Sequence, residues 1–330
     1  MNIGKVPESV LKRSIIKQIK TRRPEIIMGA SVGEDCAAIE LKEGEVYVTS
    51  TDPITGTSHE IGALAVHVTA NDIASAGAEV IGVMLSVLLP DGTEEEELKS
   101  IMKQVEETCH ELNIQTIGGH TEVTSVVNQP VVTVTGIGKV LKDKLVTSGG
   151  ARPGDDIIVT KWIGLEGTSI IAREMKDELL KRFNPSFVNK AADFIQYLSV
   201  VPEAAVAVKH KVTAMHDVTE GGIFGALWEV AEASKTGLKV DLRSIPVRQE
   251  TIEICEVFCI NPYQLISSGS MLITAQDGHD LADELKEAGI NATIIGKITE
   301  GNDRILTNGD EARYLEPPKS DELYRIYQKI

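Results

Sequence analysis

The sequence predicts an α/β (α+β) protein of two domains, and three observations lead to this prediction. The chain has 330 residues, which is long for one hydrophobic core and comfortable for two. Aromatic residues make up only 4% of it, so the core must consist of Val, Ile, Leu and Ala, a composition typical of buried strands and packed helices. In both halves, a strand is followed by a turn containing an acid and glycines, and then by a helix.

The first half of the chain predicts alternating helices and strands. Apolar spacing predicts a first helix over 7–20, and the segment VYVTSTD predicts a strand that ends at Asp52. The small residues of 61–78 predict a tightly packed helix, and the apolar run 80–89 predicts a buried strand.

A third helix is predicted from its start signal and its periodicity. Thr93 and Glu96 form a T-x-x-E pattern typical of a capping box, and apolar residues then follow helical spacing to about Leu112. The segment GGHTE at 118–122 predicts a loop between a short strand and a second strand at 131–140.

The segment SGGARPGDD at 148–156 is the strongest boundary signal, because it places Gly, Pro and charge between two strand-like runs. It predicts an N-terminal domain at 1–150 and a C-terminal domain at 151–330. The second half predicts helices at 167–175, 187–200 and 202–209, a strand–turn–helix unit at 212–237, and a strand–helix–strand unit at 268–298.

Bulk composition excludes several classes of protein. The net charge of −16 repels nucleic-acid phosphates, so a nucleic-acid partner is not expected. No apolar run has the length of a membrane span, and the first residues contain no apolar signal segment, so no membrane association and a cytoplasmic location are expected. The four cysteines show no C-x-x-C spacing and are expected to be free structural thiols.

Acidic residues at the predicted strand-to-helix junctions carry the functional signal. They are Asp35, Asp52, Asp72, Glu122 and Asp217, and glycines lie beside most of them. Mg²⁺ prefers carboxylate and phosphate oxygens, and glycine turns before helices let backbone N–H groups approach phosphate. The pattern therefore favours a magnesium–nucleotide site, where catalysis consists mainly of positioning and charge neutralisation.

Two alternatives remain at this point. A single aspartate before a helix is more often an N-cap than a metal ligand, which applies to Asp35 and Asp52 taken one at a time. Histidines at 59, 67, 120 and 216 also lie in or beside these segments, so a His/Asp metallohydrolase is a rival hypothesis, although no H-E-x-x-H spacing supports it. The P-loop, the dinucleotide-binding G-x-G-x-x-G and the G-x-S-x-G patterns are all missing from the sequence.

Seven segments, in order, resemble the aminoimidazole-ribonucleotide synthetase (PurM-like) superfamily. They are GEDCAAI, STDPITG, AVHVTANDIASAGA, GGHTEV, TGIG, ARPGD and MHDVTEGG. The resemblance covers nearly the whole chain after residue 30 and is strongest to the HypE-like hydrogenase expression/formation proteins. The superfamily also includes thiamine-monophosphate kinase and selenophosphate synthetase.

The resemblance implies a fold, a partner and a reaction. It implies a homodimer in which the N-terminal sheets of two subunits form a shared barrel, and a C-terminal domain of mixed sheet with helices. The implied activity is Mg²⁺- and ATP-dependent phosphoryl transfer to a carbonyl, amide or other oxygen of a small-molecule or carbamoyl-type acceptor. It assigns Asp35, Asp52 and Asp72 to the metal, Asn71, Asp72, Gly118, Gly119 and Glu122 to the nucleotide, and Asp217, Gly221 and Gly222 to the acceptor side. His216 and His67, which lie in the same segments, are candidate catalytic residues together with Asp217.

Three departures from the HypE pattern qualify this expectation. HypE has a C-terminal cysteine that accepts the carbamoyl group, whereas no cysteine follows Cys259 here; Glu220 stands where HypE has arginine, and His120 where it has aspartate. We therefore expect a HypE-like homologue with a different acceptor. The alternative is a non-catalytic nucleotide-binding partner in a maturation complex.

Overall fold

The computed structural model describes residues 1, 3–31, 36–55 and 60–327. Two site candidates, Asp35 and His59, lie outside the described residues. The chain divides into two compact units: unit 1 comprises Met1–Ala74 and Ala78–Leu145, and unit 2 comprises Ser75–Gly77 and Val146–Ile330.

The described part of unit 1 contains strands and helices in mixed order. The strands are β1 (Gly4–Lys5), β2 (Ile26–Met28), β3 (Ala38–Ile39), β4 (Glu45–Ile54), β5 (Glu79–Pro90), β6 (Gln115–Thr124) and β7 (Val131–Leu141). The helices are α1 (Glu8–Val10), which continues as a π-helical segment at Leu11–Ile16, α2 (Ile61–Ser75) and α3 (Glu95–Glu111). The first helical segment is thus shorter than predicted.

The main sheet of unit 1 has the strand order β1-β6-β5-β7-β4, and β5 and β6 are its parallel pair. Helix α2 packs directly on β7. A Cβ atom at Gly136 would lie 2.6 Å from Ile73, and one at Gly138 would also collide with Ile73. The two glycines of the TGIG segment therefore allow α2 to lie close to the sheet, which positions the polar residues that α2 carries.

The predicted α3 is confirmed, but its predicted capping box is wrong. Leu98, Ile101 and Val105 are buried along one face. The helix begins at Glu95 with Glu94 as its N-cap, and the Thr93 hydroxyl donates to the carbonyl of Pro90, 2.7 Å away, instead of capping the helix.

The predicted loop at 118–122 is also wrong, because these residues lie inside β6. One of their two glycines, Gly119, serves close strand pairing. Gly119 has a φ of +148°, and a Cβ there would collide with the carbonyl oxygen of Leu85 on β5. Gly119 therefore marks a close approach of two strands rather than a turn.

The described part of unit 2 holds a seven-stranded sheet in the order β14-β13-β10-β12-β8-β11-β9. Its strands are β8 (Asp156–Thr160), β9 (Val212–Asp217), β10 (Gly237–Asp241), β11 (Met271–Ala275), β12 (Ala292–Thr299), β13 (Arg304–Asn308) and β14 (Glu311–Tyr314). Its helices are α4 (Leu165–Glu174), α5 (Lys176–Leu179), α6 (Pro185–Ala192), α7 (Val201–Ala207), α8 (Gly222–Ser234), α9 (Gln249–Phe258), α10 (Gly278–Glu287) and α11 (Glu322–Tyr327).

The carboxyl ends of β8 and β9 lie at the same end of this sheet. Both strands pair antiparallel with β11, so they run in the same direction. The hydroxyl of Thr160, the last residue of β8, accepts from the backbone N–H of Met271, which lies opposite Asp217. The turns that follow β8 and β9 therefore lie at the same end of the sheet, beyond the carboxyl ends of the strands, which is where ligands bind in many α/β folds.

Two sequence expectations concern membrane-spanning segments and thiol chemistry. In the described part of the chain, every helix is too short or too polar to cross a membrane. All four cysteines are free thiols; Cys109 and Cys255 are buried, and burial raises the pKa of each to about 12. Buried thiols with raised pKa values are unreactive, as a structural role requires.

Candidate functional site

Two of the predicted acids meet in unit 1 through a serine that the sequence reasoning missed. Ser50 and Asp52 are two positions apart on β4 and so share one face of the strand. The Ser50 hydroxyl lies 3.2 Å from the Asp52 carboxylate and donates a hydrogen bond to the Asp72 carboxylate on α2. A hydroxyl has one proton to donate, so the two carboxylates share this group and present further oxygens beside it.

This arrangement is compatible with part of a magnesium site. Mg²⁺ in nucleotide sites is usually bound by one or two carboxylates together with phosphates and water. Within the described ranges, no group of three or more His, Cys, Asp or Glu side chains is placed to hold a metal ion. The third predicted ligand, Asp35, lies outside those ranges, so Asp52 and Asp72 are the metal candidates that the structure brings together.

The other predicted residues of α2 differ in accessibility. Asn71 is completely buried, with an exposed fraction of 0%. A buried amide does not reach a phosphate in solvent, so the expectation that Asn71 orients the phosphate finds no support in this conformation. His67 lies one turn earlier and is half-buried. It belongs to unit 1, whereas the other two predicted catalytic residues, His216 and Asp217, belong to unit 2.

On β6, alternate residues place Gly118, His120 and Glu122 on one face of the sheet. The His120 ring nitrogen Nε2 lies 3.2 Å from the Glu122 carboxylate, and both side chains are accessible to solvent. Gly119 points to the other face and is required for strand pairing. The GGHTE segment thus combines a structural glycine with an accessible acid and an accessible imidazole.

A cavity of about 180 Å³ opens beside this strand. One side is polar, with the backbone of 118–121 and the exposed Lys5 of β1. The other side is apolar and comes from the first helical segment and the core. The full lining is Lys5, Val6, Leu11, Ile15, Ile16, Ile19, Ala30, Ser31, Cys36, Ala37, Met84, Leu85, Met102, Thr116, Ile117, Gly118, Gly119, His120 and Thr121.

The presence of Lys5 in this cavity was not anticipated. Lys5 precedes the first helical segment and pairs across strands with Glu122 of β6. The sequence signal that could have indicated a role for Lys5 was a basic residue followed by an apolar residue and a helix-starting proline. The strand pairing that places Lys5 beside 118–121 depends on contacts more than 100 positions apart in the chain.

In unit 2, the side chains of two predicted catalytic residues lie on opposite faces of the sheet. His216 and Asp217 are consecutive residues of β9, so their side chains point to opposite faces. The Nε2 atom of His216 lies 2.7 Å from the Glu229 carboxylate on α8. Although burial lowers the pKa of His216, the hydrogen bond to Glu229 and the charge of Asp217 raise it above its usual value overall. Asp217 is buried on the other face.

The Gly221–Gly222 turn was expected to present its N–H groups to a ligand, and for Gly221 this is wrong. The turn is left-handed, with φ values of +79° and +59°. The N–H of Gly221 donates to the Asp321 carboxylate, 2.7 Å away, and is therefore already used. A Cβ at Gly222 would lie 2.7 Å from two backbone carbonyl oxygens, so this glycine serves packing.

Glu166 is a second residue that the sequence reasoning missed. It lies in the first turn of α4, is only 4% exposed and accepts the N–H of Ser268 at 3.3 Å. Burial raises the pKa of its carboxyl to about 7, although hydrogen bonds from the side chain and backbone of Ser268 lower it; the charges of Asp321 and Glu220 add a smaller increase. Carboxyl groups with a pKa near neutrality cluster at functional sites. The segment GLEGTS gave no sign of this, because Glu is also a common residue in the first turn of a helix.

Comparison with known families identifies both parts of the chain. Residues 33–140 match the N-terminal domain of AIR synthase related proteins, and residues 152–307 match their C-terminal domain.

Curated relatives are similar over most of their own length. A protein of Methanocaldococcus jannaschii named as a hydrogenase expression/formation protein is 29% identical, over 98% of this chain and 97% of the relative. The carbamoyl dehydratase HypE of Cupriavidus necator is 28% identical, over 78% of this chain and 76% of the relative. The selenide, water dikinase of M. jannaschii is 26% identical, over 86% of each.

Solved structures share the two-domain PurM-like fold. Escherichia coli HypE gives a TM-score of 0.82 at 21% identity and covers 97% of this chain and 100% of that chain. HypE in complex with ATP gives 0.77 at 21% identity, covering 98% and 97%. A HypE–HypF complex gives 0.69 at 23% identity, covering 84% and 92%. At these identities the likeness establishes the fold alone.

Proposed function

Because this chain belongs to the AIR synthase related family of ATP-dependent enzymes, we propose that it transfers the γ-phosphoryl group of Mg²⁺-bound ATP to an oxygen of a small-molecule acceptor. In this proposal unit 1 binds the nucleotide and unit 2 binds the acceptor, which is a carbonyl, amide or carbamoyl-type compound. The observation that carries the proposal is the convergence of Asp52 and Asp72 on the Ser50 hydroxyl.

The nucleotide side of the proposal is supported by two features of unit 1. Asp52 and Asp72 offer carboxylate oxygens for Mg²⁺, and the cavity beside β6 combines apolar walls with Lys5 and accessible strand backbone. An apolar cleft suits a nucleobase, and an amine suits a phosphate. The family relative HypE has been crystallised with ATP, which makes ATP the first nucleotide to test.

The proposed acceptor site lies at the end of the unit 2 sheet where β8 and β9 terminate. Asp217 ends β9 and is buried beside the turn that carries Glu220 and Gly221. Glu166 reaches the same region from the turn after β8. Buried carboxyl groups at the ends of two strands are suited to orient an acceptor and to hold its proton.

The experiment is calorimetric titration of Mg²⁺-ATP into the wild type and Asp72→Asn, with ADP release followed in parallel. We expect binding that requires Mg²⁺ and that weakens by about tenfold or more in the variant, equivalent to about 1.4 kcal/mol. Asp91→Asn, which changes an exposed acid in a turn of the same unit, is the matched control and should bind like the wild type. Equal binding by Asp72→Asn and the wild type would overturn the assignment.

The proposed function includes a homodimer formed through the N-terminal sheet. One face of this sheet is packed by α2, while alternate residues on the other face remain accessible, including Thr51, Thr135 and Met84. These three residues lie in one row across neighbouring strands. The strands β4, β7 and β5 contribute mainly Thr, Met, Leu, Ile and Val to this face, and the register places Ser86, His120 and Glu122 on it toward β6. The apolar part of the face is suited to burial against a second copy. Light scattering at micromolar concentration tests this, and a monomer would contradict it.

A second candidate function is a non-catalytic nucleotide-binding partner in a maturation complex. It is favoured by the existence of a HypE–HypF complex for a protein of the same fold. Tight Mg²⁺-ATP binding without ADP release, together with a stable complex with a maturation protein of the HypF type, would favour this candidate over the enzyme. The metallohydrolase hypothesis gains no support, because His120 and His216 each lie beside a glutamate and, in the described part of the chain, neither joins a set of metal ligands.

A further inference from the structure

A cavity of about 230 Å³ lies in unit 2 between α4 and α6. Its lining comes from α4, α5, α6 and the first residue of the 3₁₀ helix at Asp193–Tyr197, and it contains none of the residues to which the proposed function assigns a role. The volume is below the roughly 300 Å³ at which pockets for drug-sized ligands begin, so the cavity suits a small molecule.

The walls of this cavity are tethered to each other. The carbonyl of Ala192, at the end of α6, accepts hydrogen bonds from the Arg173 guanidinium at 3.0 Å and from the Ser169 hydroxyl at 2.7 Å, and both donors belong to α4. Ala172 and Val188, each 1% exposed, form the apolar part of the lining. The cavity is therefore part of the packed fold, and its walls are already in place when a ligand arrives.

The two walls of the cavity differ in charge. Arg173 of α4 and Lys176 of α5 supply two cationic groups on one wall. Asn189 of α6 and Asp193, the C-cap residue of that helix, supply an amide and a carboxylate on the other wall. Asn189 and Asp193 are four positions apart, so their side chains lie on the same side of the helix. A ligand in the cavity would therefore meet cations on one wall and hydrogen-bond acceptors, one of them anionic, on the other.

The charges on the two walls do not neutralise each other. In the described part of the chain, the side chains of Lys176, Asn189 and Asp193 have no ion-pair or hydrogen-bond partner. The neighbouring Lys190 of α6 differs, because its ammonium forms an ion pair with the Glu250 carboxylate. Opposite charges that face one cavity attract each other, and a molecule with a charge of each sign would stabilise both if it lay between them.

We propose that this cavity is a binding site for a small amino acid in its zwitterionic form. The ligand's carboxylate accepts hydrogen bonds from Lys176 and Arg173, and its ammonium group donates to the Asp193 carboxylate and to the Asn189 amide oxygen. A simple anion would lie against Asp193, and a simple cation would lie against Lys176 and Arg173. A ligand with both charges avoids both conflicts, and the site is additional to the proposed phosphoryl transfer.

The first test uses three zwitterions with increasing distance between their charges: glycine, β-alanine and 4-aminobutyrate. Binding to the full chain without nucleotide is followed by saturation-transfer NMR at pH 7, and the Kd is obtained by titration. We expect at least one of the three to bind. The amide of that compound, which is only a cation, and its hydroxy-acid analogue, which is only an anion, should bind about tenfold more weakly or less.

Two variants then assign each ligand charge to one wall. Lys176→Met should weaken binding of the zwitterion by about tenfold and remove its advantage over the amide, because the cation that meets the ligand carboxylate is gone. Asp193→Asn should weaken binding similarly and remove the advantage over the hydroxy acid. The matched controls are Lys286→Met and Asp283→Asn, which change an exposed lysine and an exposed aspartate of α10 and should bind like the wild type.

The proposal is overturned if none of the three zwitterions binds, if the amide or the hydroxy acid binds as tightly as the zwitterion, or if both wall variants bind like the wild type. Lys176 and Asp193 are exposed, so both variants should melt at the temperature of the wild type. The comparison of probes uses the wild type alone and is decisive even if a variant fails to fold. Because nucleotide is omitted, zwitterion binding without any binding of Mg²⁺-ATP would retain this site and reject phosphoryl transfer.

Discussion

The hydroxyl of Ser50 on β4 donates a hydrogen bond to the carboxylate of Asp72 on α2, across 22 positions of the sequence. The same hydroxyl lies 3.2 Å from Asp52. We expect Ser50→Ala to weaken Mg²⁺-ATP binding by about fivefold, or about 1 kcal/mol, because the two carboxylates lose the group that holds them together. Calorimetry of the variant against Ser50→Thr, which keeps a hydroxyl, measures this. Equal loss in both variants would indicate a steric effect instead.

The Gly221–Gly222 turn should tolerate no side chain at its second position. At Gly222 the φ of +59° disfavours any other residue, and a Cβ would lie 2.7 Å from the carbonyl oxygens of Tyr263 and Leu265. We expect Gly222→Ala to destabilise unit 2 by about 2 kcal/mol or more. Gly301→Ala is the matched control: its φ of +76° is also positive, but nothing lies within 4 Å of the added Cβ, so only the strain of about 1 kcal/mol applies. Thermal melting of the two variants compares them.

Glu166 should make stability depend on pH near neutrality. Its pKa in the folded protein, about 7, is above its ordinary value of 4.5, so its carboxyl destabilises the fold progressively as pH rises from about 5 through 7. Glu166→Gln removes this effect. We expect the variant and the wild type to melt at similar temperatures at pH 5, and the variant to be more stable at pH 8 by on the order of 2 kcal/mol. A difference that does not change with pH would contradict the assignment.

His216 should titrate above its ordinary pKa because of Glu229. Although burial lowers this pKa, the hydrogen bond to Glu229 and the charge of Asp217 raise it more. The stabilisation is therefore complete below the ordinary value of about 6.5 and is lost as pH rises through the folded pKa. NMR titration of the imidazole should show a lower pKa in Glu229→Gln than in the wild type. An unchanged titration would mean that the Glu229 contact does not persist in solution.

The accessible face of the unit 1 sheet should be a contact between two copies of the chain. The hydroxyls of Thr51 on the edge strand β4 and Thr135 on the neighbouring β7 lie 2.8 Å apart on this face. We expect Thr135→Arg to convert a dimer into a monomer, because it places a charge in a buried apolar interface. Asn302→Arg, at an exposed turn of unit 2, adds the same charge and should remain a dimer. Light scattering distinguishes these results.

Local patterns of the chain were sufficient for most of its secondary structure and for the identity of several acids. The apolar spacing along α3 and the apolar run of β5 depend on neighbours a few positions away, so they could be predicted from the sequence. The glycine pair at 118–119 could not be assigned correctly. The same residue type serves a turn or a close strand pair, and only the carbonyl of Leu85 on the adjacent strand decides which.

The residues themselves determined that this is a two-unit α/β protein with carboxylates near the ends of β4, β6 and β9, and their order identified its family. The prediction that Asp72 lies at a strand-to-helix junction is wrong, because Asp72 lies within α2. Tertiary structure decided how those carboxylates are used. It placed Asp52 and Asp72 on one hydroxyl, directed His216 and Asp217 to opposite faces of β9, and used the Gly221 N–H for Asp321, 100 positions away. It also buried Glu166 beside a serine 102 positions distant. The physical reason is that propensity and periodicity act over a few residues, whereas burial, pKa and hydrogen-bond partners depend on contacts between segments that are far apart in the chain.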